Sequence, residues 1–196
     1  MDTTLATTAR RLNARHGARR HLPPLILLTD RLRLPDPLAA AARLPAGSIV
    51  ILRDGGLPPG QRLALGLALA ALCRRRRLVL LVAGDPRLAR RIGADGVHWP
   101  EKRLPRRVRG FATAAAHSLP ALIRARRAGA AAALLSPVLP TLSHPGAPSL
   151  GVIRFAGLVR LAGLPVYALG GIDGATAPRL LGSGAVGIAA IGAFRP

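Results

Sequence analysis

Short apolar runs alternate with longer helix-like stretches from about residue 25 to the end of the chain. Leu25-Ile26-Leu27-Leu28 stops at Thr29-Asp30, Ser48-Ile49-Val50-Ile51-Leu52 stops at Arg53-Asp54, and the run 78–82 stops at Gly84-Asp85. Gly96-Val97-His98, Gly110-Phe111-Ala112-Thr113 and the run 131–135 follow. The last two runs are Pro165-Val166-Tyr167-Ala168-Leu169, ending in Gly170-Gly171, and Val186-Gly187-Ile188-Ala189-Ala190-Ile191, ending in Gly192. Runs of this length that do not alternate with polar residues read as strands covered on both faces, as in a parallel sheet. The intervals 38–43, 59–76, 86–92, 119–128, 152–161 and 175–181 predict helices, with Pro58 and Pro59 suited to start the longest. Strands alternating with helices argue for a parallel sheet, and eight of them argue for closure into a (β/α)8 TIM barrel.

Length modifies that picture. The chain has 196 residues, whereas this fold typically uses about 250 and at least about 200. Loops must be brief or an element must be absent. Only 193–196 follow the last strand, so the eighth helix is expected to be truncated or missing. The flank it would cover falls to the segment 5–19 or to a second copy of the chain in a homodimer. The domain reading is therefore a basic N-terminal extension or helix over 1–22 and a barrel over 23–196. The stretch 136–150 is rich in proline and has little periodicity, which marks a functional loop.

Charge and composition remove some partners. The net charge is +21, yet Lys102 is the only lysine, and arginine is accompanied by heavy use of alanine, leucine, glycine and proline. That is a compositional bias more than a nucleic-acid footprint. With one Trp, one Tyr and three Phe there are no stacking platforms for single strands, so no specific nucleic-acid partner is expected. Cys73 stands alone, which excludes a disulfide within the chain and a cysteine metal site. No apolar run reaches the roughly 18 residues of a membrane span. The expectation is a cytoplasmic protein, although the first 20 residues, with Asp2 as their only acid, overlap in composition with transit peptides.

The glycine exits carry the chemistry. Gly170-Gly171 and Ile191-Gly192 end the seventh and eighth strands, where barrels of this type frequently bind a phosphate. Backbone N–H groups there, with a following helix N-terminus, suit an anion whatever the side chains are. The alternative is that these glycines only permit tight turns. The first reading implies a phosphorylated small-molecule substrate.

In this order, the segments Leu28-Thr29-Asp30, Leu52-Arg53-Asp54, Gly93-Ala94-Asp95-Gly96-Val97-His98, His117-Ser118, Ser136-Pro137-Val138-Leu139-Pro140-Thr141, Gly151 and the two glycine exits resemble thiamine phosphate synthase and its TenI-type relatives. The resemblance runs from about Leu25 to Phe194. It implies a protein of thiamine biosynthesis that joins hydroxymethylpyrimidine diphosphate to thiazole phosphate and releases diphosphate. It places thiazole phosphate at Gly170, Gly171, Ile191 and Gly192, and the diphosphate at Arg53, Thr141 and Ser143, with His144 where the family has lysine. His117 matches the expected acid–base residue of the TenI-type thiazole phosphate tautomerases, and Arg53 matches the arginine of the synthase's second strand.

The departures concern the diphosphate grip and Mg2+: of the family's Gln-Leu-Arg-x-Lys segment at the second strand, which is Ile51-Leu52-Arg53-Asp54-Gly55 here, only the arginine is kept. The family's Asn-Asp pair after the third strand is Ala83-Gly84 here, and its second carboxylate position is Arg103. Asp85 and Glu101 stand nearest to the lost ligands and are the candidates to replace them; otherwise both are surface or helix-capping acids. The alternative functions are a TenI-like tautomerase or a catalytically degraded phosphate-binding relative.

Overall fold

The computed structural model describes residues 3–16, 21–141 and 148–194. Eight parallel strands close on themselves in sequence order: β1 (Leu25–Leu28), β2 (Ile49–Leu52), β3 (Val79–Ala83), β4 (Gly96–Trp99), β5 (Phe111–Ala116), β6 (Ala132–Leu135), β7 (Val166–Leu169) and β8 (Gly187–Ala190). Closure is made by β1 on β8, with Leu25 opposite Ile188 and Leu27 opposite Ala190. The helices are α1 (Thr3–His16), α2 (Pro37–Ala42), α3 (Pro59–Arg76), α4 (Pro86–Ile92), α5 (Leu119–Arg127) and α6 (Gly151–Ala162).

The absence of polar alternation in the strands has a simple cause. Ile26, Leu28, Ile49, Ile51, Leu81, Leu134 and Tyr167 fill the barrel interior. Leu25, Leu27, Val50, Leu52, Leu80 and Val82 turn outward and pack beneath the helices. The strands are thus covered on both faces, and the polar exceptions inside, His98 of β4 and Thr113 of β5, face one another. Interior volume is matched across strands. Tyr167 stands opposite Gly187, where any Cβ would run into Tyr167 and the Pro24 carbonyl. The buried Tyr167 hydroxyl donates to the Pro23 carbonyl over 2.6 Å.

Two elements differ from expectation. β5 continues to Ala116, because Ala114, Ala115 and Ala116 remain in register with β6; alanine carries little strand signal of its own. The helix expected over 175–181 is only a 3₁₀ turn, Ala177–Leu180. Pro178 sits in its first turn and Gly182 follows at φ +85°, which leaves no room for a longer helix. After β8 the described residues hold a 3₁₀ turn, Gly192–Phe194.

The barrel flank at β8 and β1 is covered by α1. Leu5, Ala6, Ala9 and Leu12 recur at helical spacing on one face and are buried. They pack where α1 crosses β8, β1 and the Ala177–Leu180 turn. The Asn13 side-chain amide fastens the helix, donating to the Leu22 carbonyl at 2.7 Å and the Val186 carbonyl at 3.0 Å. The apolar surface that raised the expectation of a second copy is thereby filled from within the chain. Among the described residues, no helix is long and apolar enough to cross a membrane.

Candidate functional site

All eight strands run the same way, so their C-terminal ends share one rim, and the expected site residues that are described follow those ends. At the β7 exit the loop after β6 is drawn tightly in. Val138 N–H donates to the Leu169 carbonyl at 2.9 Å, and Leu139 N–H to the Gly170 carbonyl at 3.1 Å. Gly171, at φ +67°, lies so close that a Cβ would overlap the Pro140 carbonyl oxygen and stand 2.8 Å from that of Leu139. Only glycine permits both the backbone angle and the approach.

The β8 exit lies beside it, since Leu169 and Ala189 are partners in the ladder. Gly192 faces open space, with nothing within 4 Å of its Cβ position. The N–H groups of Gly170, Gly171 and Gly192 donate to no backbone carbonyl among the described residues. The two turns therefore offer adjacent main-chain donors. Support from following helices is slighter than expected, because each turn leads only into a short 3₁₀ segment. Thr141 is half-buried at the end of the strapped loop. Ser143 and His144 lie outside the described residues.

Across the rim, the β1 and β2 exits form a linked ion-pair group. Arg53 pairs with Asp30, and its N–H donates to the Thr29 hydroxyl at 3.0 Å. Asp30 also holds Arg33 at 2.6 Å. Partial burial works to raise the Asp30 carboxyl, but the hydrogen bonds and charge of Arg33, with the charge of Arg53, hold it below its ordinary value. Thr29 in turn donates to the buried Asp54, which also accepts the Arg31 N–H at 2.8 Å. The exit is a pre-formed frame that fixes the Arg53 stem and leaves its side chain 39% exposed.

The β3 and β4 exits are where a cation would be expected. Asp85 caps α4, accepting the Leu88 N–H at 2.9 Å, and pairs with Arg62 of α3 at 2.8 Å. The Leu88 hydrogen bond depresses its pKa first, and Arg62 adds to that against partial desolvation. Arg62 also donates to the Ala83 carbonyl at 3.1 Å. Glu101, in the turn after β4, is held by His117 and Arg124. Among the described residues no group of three or more His, Cys, Asp or Glu side chains could hold a metal ion. Each candidate carboxylate already carries a guanidinium, so these residues do not fit a divalent cation, which needs several free oxygen ligands. The position of the family's first carboxylate is Gly84, at φ +63°, and the Arg103 Nη1 atom stands 3.1 Å from where its Cβ would be.

His98 is directed into the barrel and buried, with Nδ1 2.9 Å from the Thr113 hydroxyl. Burial, and then the charge of Arg53, lower its pKa to about 4, so it is neutral at pH 7. His117 is different. It is 57% exposed at the β5 exit, its Nδ1 lies 2.7 Å from Glu101 Oε2, and its backbone N–H donates to the same oxygen at 3.0 Å. Arg124 reaches the other Glu101 oxygen at 2.9 Å. Partial burial works to raise the Glu101 carboxyl, but His117 and Arg124 bring it below its ordinary value. An imidazole anchored through one nitrogen has a defined direction for the other.

Sequence reasoning had not singled out Arg62, Arg124 or the Thr29–Asp54 contact. Their partners are 23 to 25 residues away, and the only local hint was Arg62 in the first turn of a rim helix. A separate cavity of about 510 Å³ opens at the opposite end of the barrel, lined by the first residues of β2, β3 and β5 with His21 and Asp95. None of the candidate site residues at the C-terminal rim lines it.

The chain has recognisable relatives. The family described as thiamine monophosphate synthase matches residues 26–194. A thiamine-phosphate synthase of Methylococcus capsulatus is 36% identical over 180 residues, covering 83% of this chain and 77% of the relative. That of Roseiflexus sp. is 34% identical over 180 residues, covering 85% and 76%. Among solved structures, a thiamine phosphate pyrophosphorylase from Pyrococcus furiosus superposes with a TM-score of 0.76 at 26% identity, covering 89% of this chain and 87% of that one.

Proposed function

The chain belongs to the thiamine monophosphate synthase family, and from that premise we propose that it joins hydroxymethylpyrimidine diphosphate to thiazole phosphate. In this reaction the thiazole ring nitrogen attacks the pyrimidine methylene carbon. The new C–N bond forms as the C–O bond to diphosphate breaks, the electron pair leaves with diphosphate, and the thiazole nitrogen becomes cationic.

The observation that carries this reading is the pair of adjacent backbone turns at the β7 and β8 exits, whose Gly170, Gly171 and Gly192 amides have no main-chain partner among the described residues. A phosphate monoester suits such donors. Seating the thiazole by its phosphate there fixes one reactant at the rim. The Arg53 guanidinium, framed from across the rim by Asp30 and Thr29, is suited to the departing diphosphate. Holding both reactants in line supplies most of what such a displacement needs from the protein. Thr141 belongs to the same strapped loop and is assigned to the phosphate groups with Ser143 and His144.

The anchored His117–Glu101 pair favours a second reading, tautomerisation of thiazole phosphate, in which the imidazole moves a ring proton and no diphosphate is bound. The test is a coupled assay with purified protein and both precursors, with magnesium supplied or chelated. Formation of thiamine phosphate supports the synthase. Conversion of thiazole phosphate alone, with no joined product, supports the tautomerase. Failure of thiazole phosphate to bind at all overturns both.

A further inference from the structure

The exits of β3 and β4 hold arginines where a cation and its carboxylates would be expected, and this has a consequence for how a diphosphate is neutralised. Three residues leave β3: Ala83, Gly84 and Asp85. Arg62 spans the first and third, donating to the Ala83 carbonyl at 3.1 Å and pairing with Asp85 at 2.8 Å. Arg103 comes from the turn after β4 and lies against the second, its Nη1 3.1 Å from the Gly84 Cβ position. A carboxylate-bearing residue at 84 would need that space.

The charge left over is positive. Asp85 is neutralised by Arg62 and Glu101 by Arg124, Asp30 is shared between Arg33 and Arg53, and the buried Asp54, held by the Thr29 hydroxyl and the Arg31 N–H, offsets one more positive charge, which leaves Arg103 in excess. Arg103 forms no ion pair among the described residues, and its side chain is exposed at the rim. The Arg62 Nε is buried without a hydrogen-bond partner, so a donor remains unused beside Asp85. Leu52 stands opposite Val82 and Ala83 opposite His98 in the ladders, and the His98 carbonyl accepts the Gly84 N–H at 2.8 Å, so the β2, β3 and β4 exits are neighbours on the rim.

We propose that the Arg103 guanidinium, supported by Arg53, takes the place of a divalent cation as the counter-charge for a diphosphate group, so that this chain binds diphosphate without metal. A planar guanidinium matches two phosphate oxygens at once, needs no carboxylate ligands, and stays charged at any physiological pH. This rests on the synthase reading in taking a diphosphate as the ligand, but it concerns a different part of the rim from the glycine turns.

The test is titration calorimetry of the full chain with inorganic diphosphate, in EDTA and in excess magnesium. The expected result is an affinity that changes by less than about twofold between the two conditions. Arg103→Ala and Arg103→Gln should each weaken binding about tenfold or more in EDTA, the cost expected for losing one charge-assisted bidentate contact. Arg106→Ala, an exposed arginine elsewhere, should leave it unchanged and so excludes a general effect of net charge. Circular dichroism establishes that the variants are folded, and two substitutions guard against one of them failing. Binding that appears only with magnesium, or that survives both Arg103 substitutions, overturns the proposal. Thiazole phosphate is titrated separately. If it binds while diphosphate requires magnesium, the metal-free proposal fails and the synthase reading stands. If diphosphate binds through Arg103 while thiazole phosphate does not bind, the converse holds.

Discussion

His98 Nδ1 and the Thr113 hydroxyl lie 2.9 Å apart inside the barrel, as direct neighbours on β4 and β5. The imidazole is neutral there, with its pKa lowered from 6.5 to about 4 by burial and by Arg53. The unfolded chain takes up this proton near pH 6.5, whereas the folded chain resists until about pH 4. The contribution to stability is therefore complete above 6.5 and is lost as pH falls through this window. A shift of this size corresponds to roughly 3 kcal/mol. Urea unfolding at pH 7 and pH 4.5 should show that slope, and His98→Asn should flatten it. An unchanged slope in the variant would remove His98 as its source.

Gly171 and Gly192 allow a controlled comparison. Gly171→Ala must place a Cβ against the Pro140 carbonyl at φ +67°. The expected cost is about 2 kcal/mol or more, with loss of thiazole phosphate affinity, because the strapped loop must move. Gly192→Ala meets nothing within 4 Å and should cost less than about 0.5 kcal/mol. If its methyl nevertheless blocks thiazole phosphate in calorimetry, the ligand sits directly on that turn. Thermal melts separate the stability component from the binding component.

Glu101→Gln keeps the size of the side chain and removes the charge that holds His117 and Arg124. Where His117 moves a proton, the turnover number should fall about tenfold or more and the pH profile should shift, with KM little changed. A synthase that does not use His117 would show only a small change in melting temperature. Steady-state kinetics across pH 6 to 9 distinguish the two.

Tyr167→Phe removes the donor to the Pro23 carbonyl and leaves that acceptor unpaired beneath the barrel. The expected loss is about 1–2 kcal/mol, with binding at the rim unaffected because the hydroxyl points to the opposite end. A loss of phosphate affinity in this variant would show that the two ends of the barrel are coupled.

The barrel was legible because its strands are buried on both faces, and recurring apolar runs such as 25–28 and 49–52 have few other uses. The glycine exits were legible for a local reason, since Gly171 is required by its own φ and by the loop against it. What could not be read were pairings between distant residues. Asp85 appears equally suited to a cation or a helix cap until Arg62, 23 residues earlier, is seen to occupy it. Glu101 was ambiguous for the same reason until His117 and Arg124 were placed around it. The role of α1 was half legible. Its apolar spacing was present, but the composition of the first 20 residues suited a plain extension or a transit peptide as well as a helix.

The match to the family begins at residue 26, yet the structural unit begins well before it. Leu5, Ala9 and Leu12 are wholly or almost wholly shielded, and Asn13 ties the helix to the carbonyls of Leu22 and Val186. A fragment cut to the region of homology would expose a greasy seam along β8 and β1 and lose a clamp that joins the two ends of the chain. Expression work on this protein should accordingly keep its first sixteen residues, and a fusion partner is better attached where it cannot pry that helix away.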